Sequence, residues 1–246
     1  MRDSRARIAE LQRRYFETAD VERYRWTTRA AGFVETEDEL LSPVLDLIET
    51  PCLEIGCGEG NNLVRLGRRT RCFGVDLFRR KLHFAAREVP KARFATASAD
   101  RLPFADASFR SILIRDLLHH MEDPRAVLEE AMRVLAPGGR FWLLEPNARN
   151  PIIRLQIRLV EAEAGARKFN ADYVRELLAG LPLEDLEISA AQPFPLRRAV
   201  LHYELGLPAL GRWGPSRALL SGAEKLIGAL VPRAHWLYVS ASATRG

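Results

Sequence analysis

Residues 53–62 read Leu53-Glu54-Ile55-Gly56-Cys57-Gly58-Glu59-Gly60-Asn61-Asn62. This stretch leaves an apolar run, Cys52 to Ile55, and enters a helical segment through three glycines. A tight strand-to-helix turn needs positive φ, and glycine lets the backbone approach a ligand closely. The helix start beyond it offers unpaired N–H groups to an anion such as a carboxylate. A second apolar run then ends at Val75-Asp76-Leu77-Phe78. That spacing, about twenty residues, sets an acidic side chain where it can accept two ribose hydroxyls. Glycines alone can be a simple turn and Asp76 alone a helix cap, but their joint spacing points to a nucleoside-bearing ligand. A dinucleotide needs a third glycine where Asn61 stands, so that reading fails.

Outward from this turn, short apolar runs alternate with helical patterns. Strands are expected at 52–55, 71–75, 92–96, 111–114 and 140–144, and helices at 61–68, 79–88 and 124–135. Asp123 before Pro124 marks a helix start, and Pro137-Gly138-Gly139 its end. Pro146 forbids further pairing after the fifth strand. Beyond Pro151, segments 152–166 and 172–179 read as helical, 183–189 and 235–241 as strands. Leu219, Ala223, Leu226 and Leu230 form one helical stripe. Runs such as CLEI, SILI and FWLL are apolar throughout, as parallel strands covered on both faces must be, so an α/β doubly wound sheet is expected. The chain divides into an N-terminal helical cap or lid over 1–48, a Rossmann-like core over 49–147, and helical additions with final strands over 148–246.

Composition narrows the class. The 246 residues are 47% hydrophobic and 28% charged, enough for a sizeable core. No run of roughly 18 apolar residues could cross a bilayer. The N-terminal twenty residues are charged and lack the apolar stretch of a secretory signal, so a cytoplasmic location is expected. Cys52, Cys57 and Cys72 have no metal-ligand spacing, so neither disulfides nor a zinc site is expected. The net charge of +5 comes from scattered arginines, without a stripe or motif for nucleic acid.

Glu54-Ile55-Gly56-Cys57-Gly58-Glu59-Gly60 resembles motif I of the class I S-adenosylmethionine-dependent methyltransferases. The resemblance runs through the stretch from Asp100 to Asn147, which looks like the third to fifth strands of the branch holding ubiquinone-type and many small-molecule methyltransferases. It implies a mostly parallel seven-stranded sheet with helices on both faces, S-adenosylmethionine as cofactor, and a helical insertion near the C-terminus. Residue by residue, it implies that Gly56, Cys57 and Gly58 pass beneath the methionine part and Glu54 holds its amino end. Asp76 would take the ribose and Leu77 would pack on adenine. Ser98, Ala99 and Asp100 would meet the adenine edge. Relatives often have Asp-Ala where Ser98-Ala99 stands, so either the serine contact is weaker or Asp100 substitutes. Ile114 and Arg115 would offer backbone groups to the amino-acid end.

Methyl transfer from a sulfonium asks the protein to align a nucleophile and exclude water. Hydroxyl and carbon acceptors need a proton removed, and His119 or His120, past the fourth strand, is the candidate base. The pair has a competing role in capping the loop that follows. Glu145 and Asn147 face the same sheet edge, and either binds an acceptor or the backbone. Tyr15, Tyr24 and Trp26 form an apolar lid or part of the core. Arg115-Asp116-Leu117-Leu118 replaces the Asn/Asp-Pro-Pro-aromatic motif of nucleic-acid amino methyltransferases. A small-molecule acceptor is therefore expected, O- or C-methylated and apolar or lipid-like. Alternatives are an RNA or protein acceptor, or a non-catalytic relative that only binds the cofactor. Leucine- and arginine-rich segments at 152–160 and 197–213 suit a bulky acceptor or peripheral membrane contact, but helices covering a sheet face need the same composition.

Overall fold

The computed structural model describes residues 11, 14, 17–204 and 206–246. Its centre is a seven-stranded sheet in the order β3-β2-β1-β4-β5-β7-β6. The strands are β1 (Cys52–Ile55), β2 (Cys72–Asp76), β3 (Arg93–Thr96), β4 (Phe109–Arg115), β5 (Leu135–Pro146), β6 (Leu183–Ala191) and β7 (Tyr238–Arg245). β1 to β5 pair in parallel, while β7 runs antiparallel to β5 and β6. This is the doubly wound architecture expected, with the order reversing between β1 and β4. Ligands of open α/β sheets bind at that switch point.

Alternation along β1 and β4 assigns the two faces. Leu53, Ile55, Ile112 and Ile114 enter one core with Val127 and Leu128 of α5 (Pro124–Val134) and Val174 and Leu177 of α7 (Ala171–Leu178). Cys52 and Leu113 turn to the other face. There they meet Leu41 of α2 (Phe33–Leu45), Leu63 of α3 (Leu63–Leu66) and Leu82 of α4 (Arg79–Glu88). The first described helix, α1 (Val21–Arg29), is capped by Asp20, whose side chain accepts from Arg23 N. Asp123 and Asn170 cap α5 and α7 in the same way.

Several boundaries moved for physical reasons. Only Leu63–Leu66 of the helix expected at 61–68 forms, because hydrogen bonds such as Arg69 N to Leu66 O tighten to three-residue turns. Pro137-Gly138-Gly139 does not end α5. The helix stops at Val134, and the Pro-Gly-Gly lies inside β5, where pairing with β4 is irregular between Phe109 and Ser111. The helix expected at 152–166 breaks at the extended Val160 into α6 (Pro151–Leu159) and a 3₁₀ segment, Glu161–Lys168.

The leucine stripe does form a helix, α9 (Gly214–Leu230), but it does not cover the sheet. Leu219, Leu226 and Leu230 are exposed, and the buried positions are Glu224 and Gly228. Gly228 lies against Pro193, where a Cβ would come within 2.7 Å. Glu224 accepts from the backbone N of Arg197 on α8 (Leu196–Val200) at 2.7 Å. A small residue and an ion pair thus make the contact face. No helix among the described residues is long and apolar enough to cross a membrane.

Candidate functional site

A cavity of about 1040 Å³ opens at the carboxyl ends of β1, β2 and β4, beneath α1, α2 and α8. Its floor is the turn after β1. Gly56 N and Cys57 N both donate to Val75 O, at 2.8 and 2.9 Å, which locks the turn onto β2. Gly56, Gly58 and Gly60 have φ of 77°, 51° and 84°. At Gly56 a Cβ would lie 2.9 Å from the Leu117 side chain, whereas at Gly58 it would meet only Lys81 Nζ, 4.0 Å away. The backbone at Gly58 therefore faces open cavity. Asp76 ties this turn to its own: Oδ2 accepts from Gly58 N at 2.9 Å and Oδ1 from Phe78 N at 2.8 Å. Each oxygen keeps a second lone pair for a diol. Burial raises the Asp76 carboxyl against those two amides and Lys81. Leu77 beside it is 60% exposed and lines the cavity, an apolar side chain available to cover a flat ring.

Glu54 is buried at the end of β1. Its Oε1 accepts from Asn62 Nδ2 at 2.6 Å, and its Oε2 has no hydrogen-bond partner among the described residues. Burial pushes this carboxyl up to about 8, against the pull of Asn62 and Arg115. A buried carboxylate oxygen without a donor is costly unless a ligand supplies one. Asn62 Oδ1 in turn accepts from Arg115 Nη1 at 3.0 Å, and the same nitrogen donates to Glu37 Oε2 at 2.7 Å. Arg198 donates to the other oxygen of Glu37. Burial would raise the Glu37 carboxyl, but the flanking Arg115 and Arg198 guanidiniums hold it at about 2. One network thus runs from β1 through β4 to α2 and α8. Arg65 adds a second tie, donating to Asp38 of α2, Asn61 O of the turn and Thr27 O of α1.

Of the residues singled out by sequence, Glu54, Gly56, Cys57, Gly58, Asp76, Leu77, Ser98, Ala99, Arg115 and His120 line this cavity. Ile114, Asp100 and His119 do not. Ile114 points into the opposite core and is flanked by Ile55 and Leu143, as strand alternation demands once Arg115 faces the cavity. Asp100 is exposed and accepts from Ser98 Oγ, so it steadies the serine that does line the cavity. His119 is buried between two carboxylates, with Nδ1 2.6 Å from Glu145 Oε2 and Nε2 3.2 Å from Glu163 Oε2. Glu145 uses its other oxygen on the N–H groups of Leu117 and Leu118. Burial would lower the His119 pKa, but Glu145 and Glu163 raise it to about 10. His119 is a charged structural link with both ring nitrogens engaged. His120 is its opposite: burial, then the neighbouring His119 cation, lower its pKa to about 3.

Asn147 is likewise structural, donating to Ala234 O and Trp236 O. Trp26 lines the cavity, stacked on Phe33 with ring centroids 3.7 Å apart and donating to Leu201 O. Tyr24 packs edge-on against Phe84 in the core. Tyr15 lies outside the described residues. Sequence reasoning missed Glu37, Arg198, Asn62 and Arg23 as cavity residues. Asn62 stood inside the decisive stretch, whereas Glu37 and Arg198 are 161 residues apart and no local pattern joins them.

Comparison with known proteins agrees with this geometry. A family described as "Methyltransferase domain" matches residues 53–143. The methyltransferase GfsG of Streptomyces halstedii is 32% identical over 181 residues, 68% of this chain and 65% of that protein. The 27-O-demethylrifamycin SV methyltransferase of Amycolatopsis mediterranei is 35% identical over 99 residues, 37% of this chain and 36% of its own. The matched stretches thus span less than two thirds of either relative. Among solved structures, an S-adenosylmethionine-dependent methyltransferase from Thermotoga maritima, described as a possible histamine N-methyltransferase, shares the fold. Its TM-score is 0.65 at 19% identity, over 92% of this chain and 94% of that one.

Proposed function

We propose that the chain, which matches a methyltransferase domain family through residues 53–143, is an S-adenosylmethionine-dependent methyltransferase that methylates a small-molecule acceptor at oxygen or carbon. The observation that carries the reading is the unpaired Oε2 of Glu54, buried in a cavity that also holds Asp76 and His120. An α-ammonium is the donor that oxygen lacks. Asp76 can add two ribose hydroxyls to the two amides it already accepts. Leu77 and Ala99 supply apolar surface for adenine, with Ser98 at its edge. The open backbone at Gly58 admits the methionine chain.

Bound S-adenosylmethionine supplies a methyl group already activated on sulfonium. The chain's own task is to align the acceptor, keep water out and manage a proton. His120 is the base in this reading, and His119, held by the buried Glu145 and the half-buried Glu163, lies against it with ring centroids 3.8 Å apart. Held neutral above about pH 3, His120 is always ready to accept a proton, but weakly. In domain terms, residues 1–48 form the lid, 49–147 bind the cofactor, and 148–246 complete the sheet and the acceptor wall. A cytoplasmic site of action is part of the reading.

The test is incubation with methyl-labelled S-adenosylmethionine and host extract split into lipid, polar metabolite, RNA and protein fractions. Label is expected in a small-molecule fraction. Label confined to RNA or protein would replace the acceptor class, and none anywhere would contradict the enzyme reading.

A further inference from the structure

Most cations on the cavity wall are already paired. Arg115 and Arg198 share Glu37, and Arg115 Nε lies 3.3 Å from Asp116 Oδ2. Lys81 Nζ lies 3.4 Å from Glu59 Oε1, and Arg79 Nε donates to His83. Arg80 stands on α4, next to the Asp76 turn. Arg23 is different. It projects from α1 into the cavity, and no carboxylate oxygen among the described residues comes within 4.0 Å of its guanidinium. The carboxylates that face it are Asp116 and Glu59. Both are committed elsewhere, Asp116 to Arg115 and Glu59 to Lys81 and the Asp20 N–H.

Arg23 is exposed at the cavity wall, and its five N–H donors on a permanent charge, with no acceptor among the described residues, make a site for a planar oxyanion. The position of Arg23 on α1 says which oxyanion. Trp26 and Thr27 follow at three and four residues, so one helix face presents the guanidinium and an indole to the same cavity. Met121 and Leu117 extend the apolar wall beside His120. At the Glu54 side of the cavity Arg115 is committed to Glu37, to Asp116 and to the Asn62 that holds Glu54.

Resting on the methyltransferase reading, we propose that Arg23 recognises the acceptor by binding a carboxylate or phosphate on it, with the acceptor's apolar body along Trp26 and Met121. The acceptor is then an amphipathic acid rather than a neutral lipid.

The full chain loaded with S-adenosylhomocysteine, titrated calorimetrically with benzoate, phenyl phosphate and benzyl alcohol, tests this. At least one oxyanion is expected to bind about tenfold or more tighter than benzyl alcohol, through charge-assisted hydrogen bonds. The better of the two tells carboxylate from phosphate. Arg23→Gln should abolish the preference, Arg23→Lys should retain part of it, and both should bind S-adenosylhomocysteine within about twofold of wild type. Equal binding of the three probes, or unchanged oxyanion affinity in Arg23→Gln, would overturn the proposal. A matching loss of S-adenosylhomocysteine affinity in Arg23→Gln would overturn it too, assigning Arg23 to the cofactor carboxylate. Failure of wild type to bind S-adenosylhomocysteine is the separate result that removes the methyltransferase reading and this one with it.

Discussion

Replacing Glu37 by glutamine severs the network that joins the lid to the sheet. The side chain is 2% exposed, and its two oxygens serve Arg115 and Arg198. A glutamine amide can accept from one guanidinium while its NH₂ faces the other. The Glu37 carboxyl is held at about 2 against an ordinary value of 4.5, despite burial. At about 1.36 kcal/mol per pH unit the native charge is worth about 3 kcal/mol. Breaking a buried pair by removing one partner costs a comparable amount, about 3–5 kcal/mol. Glu37→Gln should thus lose about 3 kcal/mol at pH 7, a fall in Tm of about 6–12 °C for a chain of this size. The pH dependence fixes the cause. Because the folded value lies below the unfolded one, the contribution is complete above pH 4.5 and lost as pH falls toward about 2. Urea unfolding followed by tryptophan fluorescence, from pH 7 to 3, should show the gap between wild type and variant narrowing on acidification. A loss below about 1 kcal/mol at pH 7, or a gap that ignores pH, would refute the reasoning.

Glu54, with its carboxyl near 8, is protonated in the unliganded protein at pH 7, and an incoming ammonium favours its ionised form. Cofactor binding should therefore release a proton at pH 7 and tighten as pH rises toward 8, read by calorimetry in buffers of different ionisation enthalpy; Glu54→Gln should abolish both effects. Gly58→Ala puts a methyl group into open cavity at φ 51°, so it should cost about 1 kcal/mol of stability yet weaken cofactor binding about tenfold or more. A stability loss of that size with cofactor affinity unchanged would argue against a binding cradle. His119→Ala strands the buried Glu145 and should destabilise by about 3 kcal/mol near neutral pH. Since the folded His119 value is raised, that contribution is complete below about pH 6.5 and fades as pH rises through about 10. His120→Ala should spare both stability and cofactor affinity while lowering turnover, and wild-type turnover would remove it as the base.

Sequence alone disclosed what local pattern encodes. The positive φ at Gly56 and Gly58, and Asp76 at the end of β2, follow from a turn whose spacing is written over some twenty residues. The parallel strands announced themselves because both their faces are covered. Two kinds of feature stayed hidden. Which side chain faces the site depends on strand phase, which turns Arg115 into the cavity and Ile114 into the core, and on tertiary partners, which separate His119 from His120. Contacts between distant segments leave no local trace. Glu37 with Arg198 is one, and the burial of Glu224 and Gly228 in place of the α9 leucines is another. The stripe on α9 had helical period, but period does not say which face finds a partner.

The central claim is that the β1 turn, Glu54 and Asp76 form an S-adenosylmethionine site. Titrating wild type and Asp76→Ala with S-adenosylhomocysteine by calorimetry tests it most directly. One site per chain is expected in wild type, with affinity weakened about a hundredfold in the variant, the loss of two hydrogen bonds to a charged group at about 1.5 kcal/mol or more each. Absence of binding in wild type, or equal affinity in Asp76→Ala while its fold is retained, would contradict it.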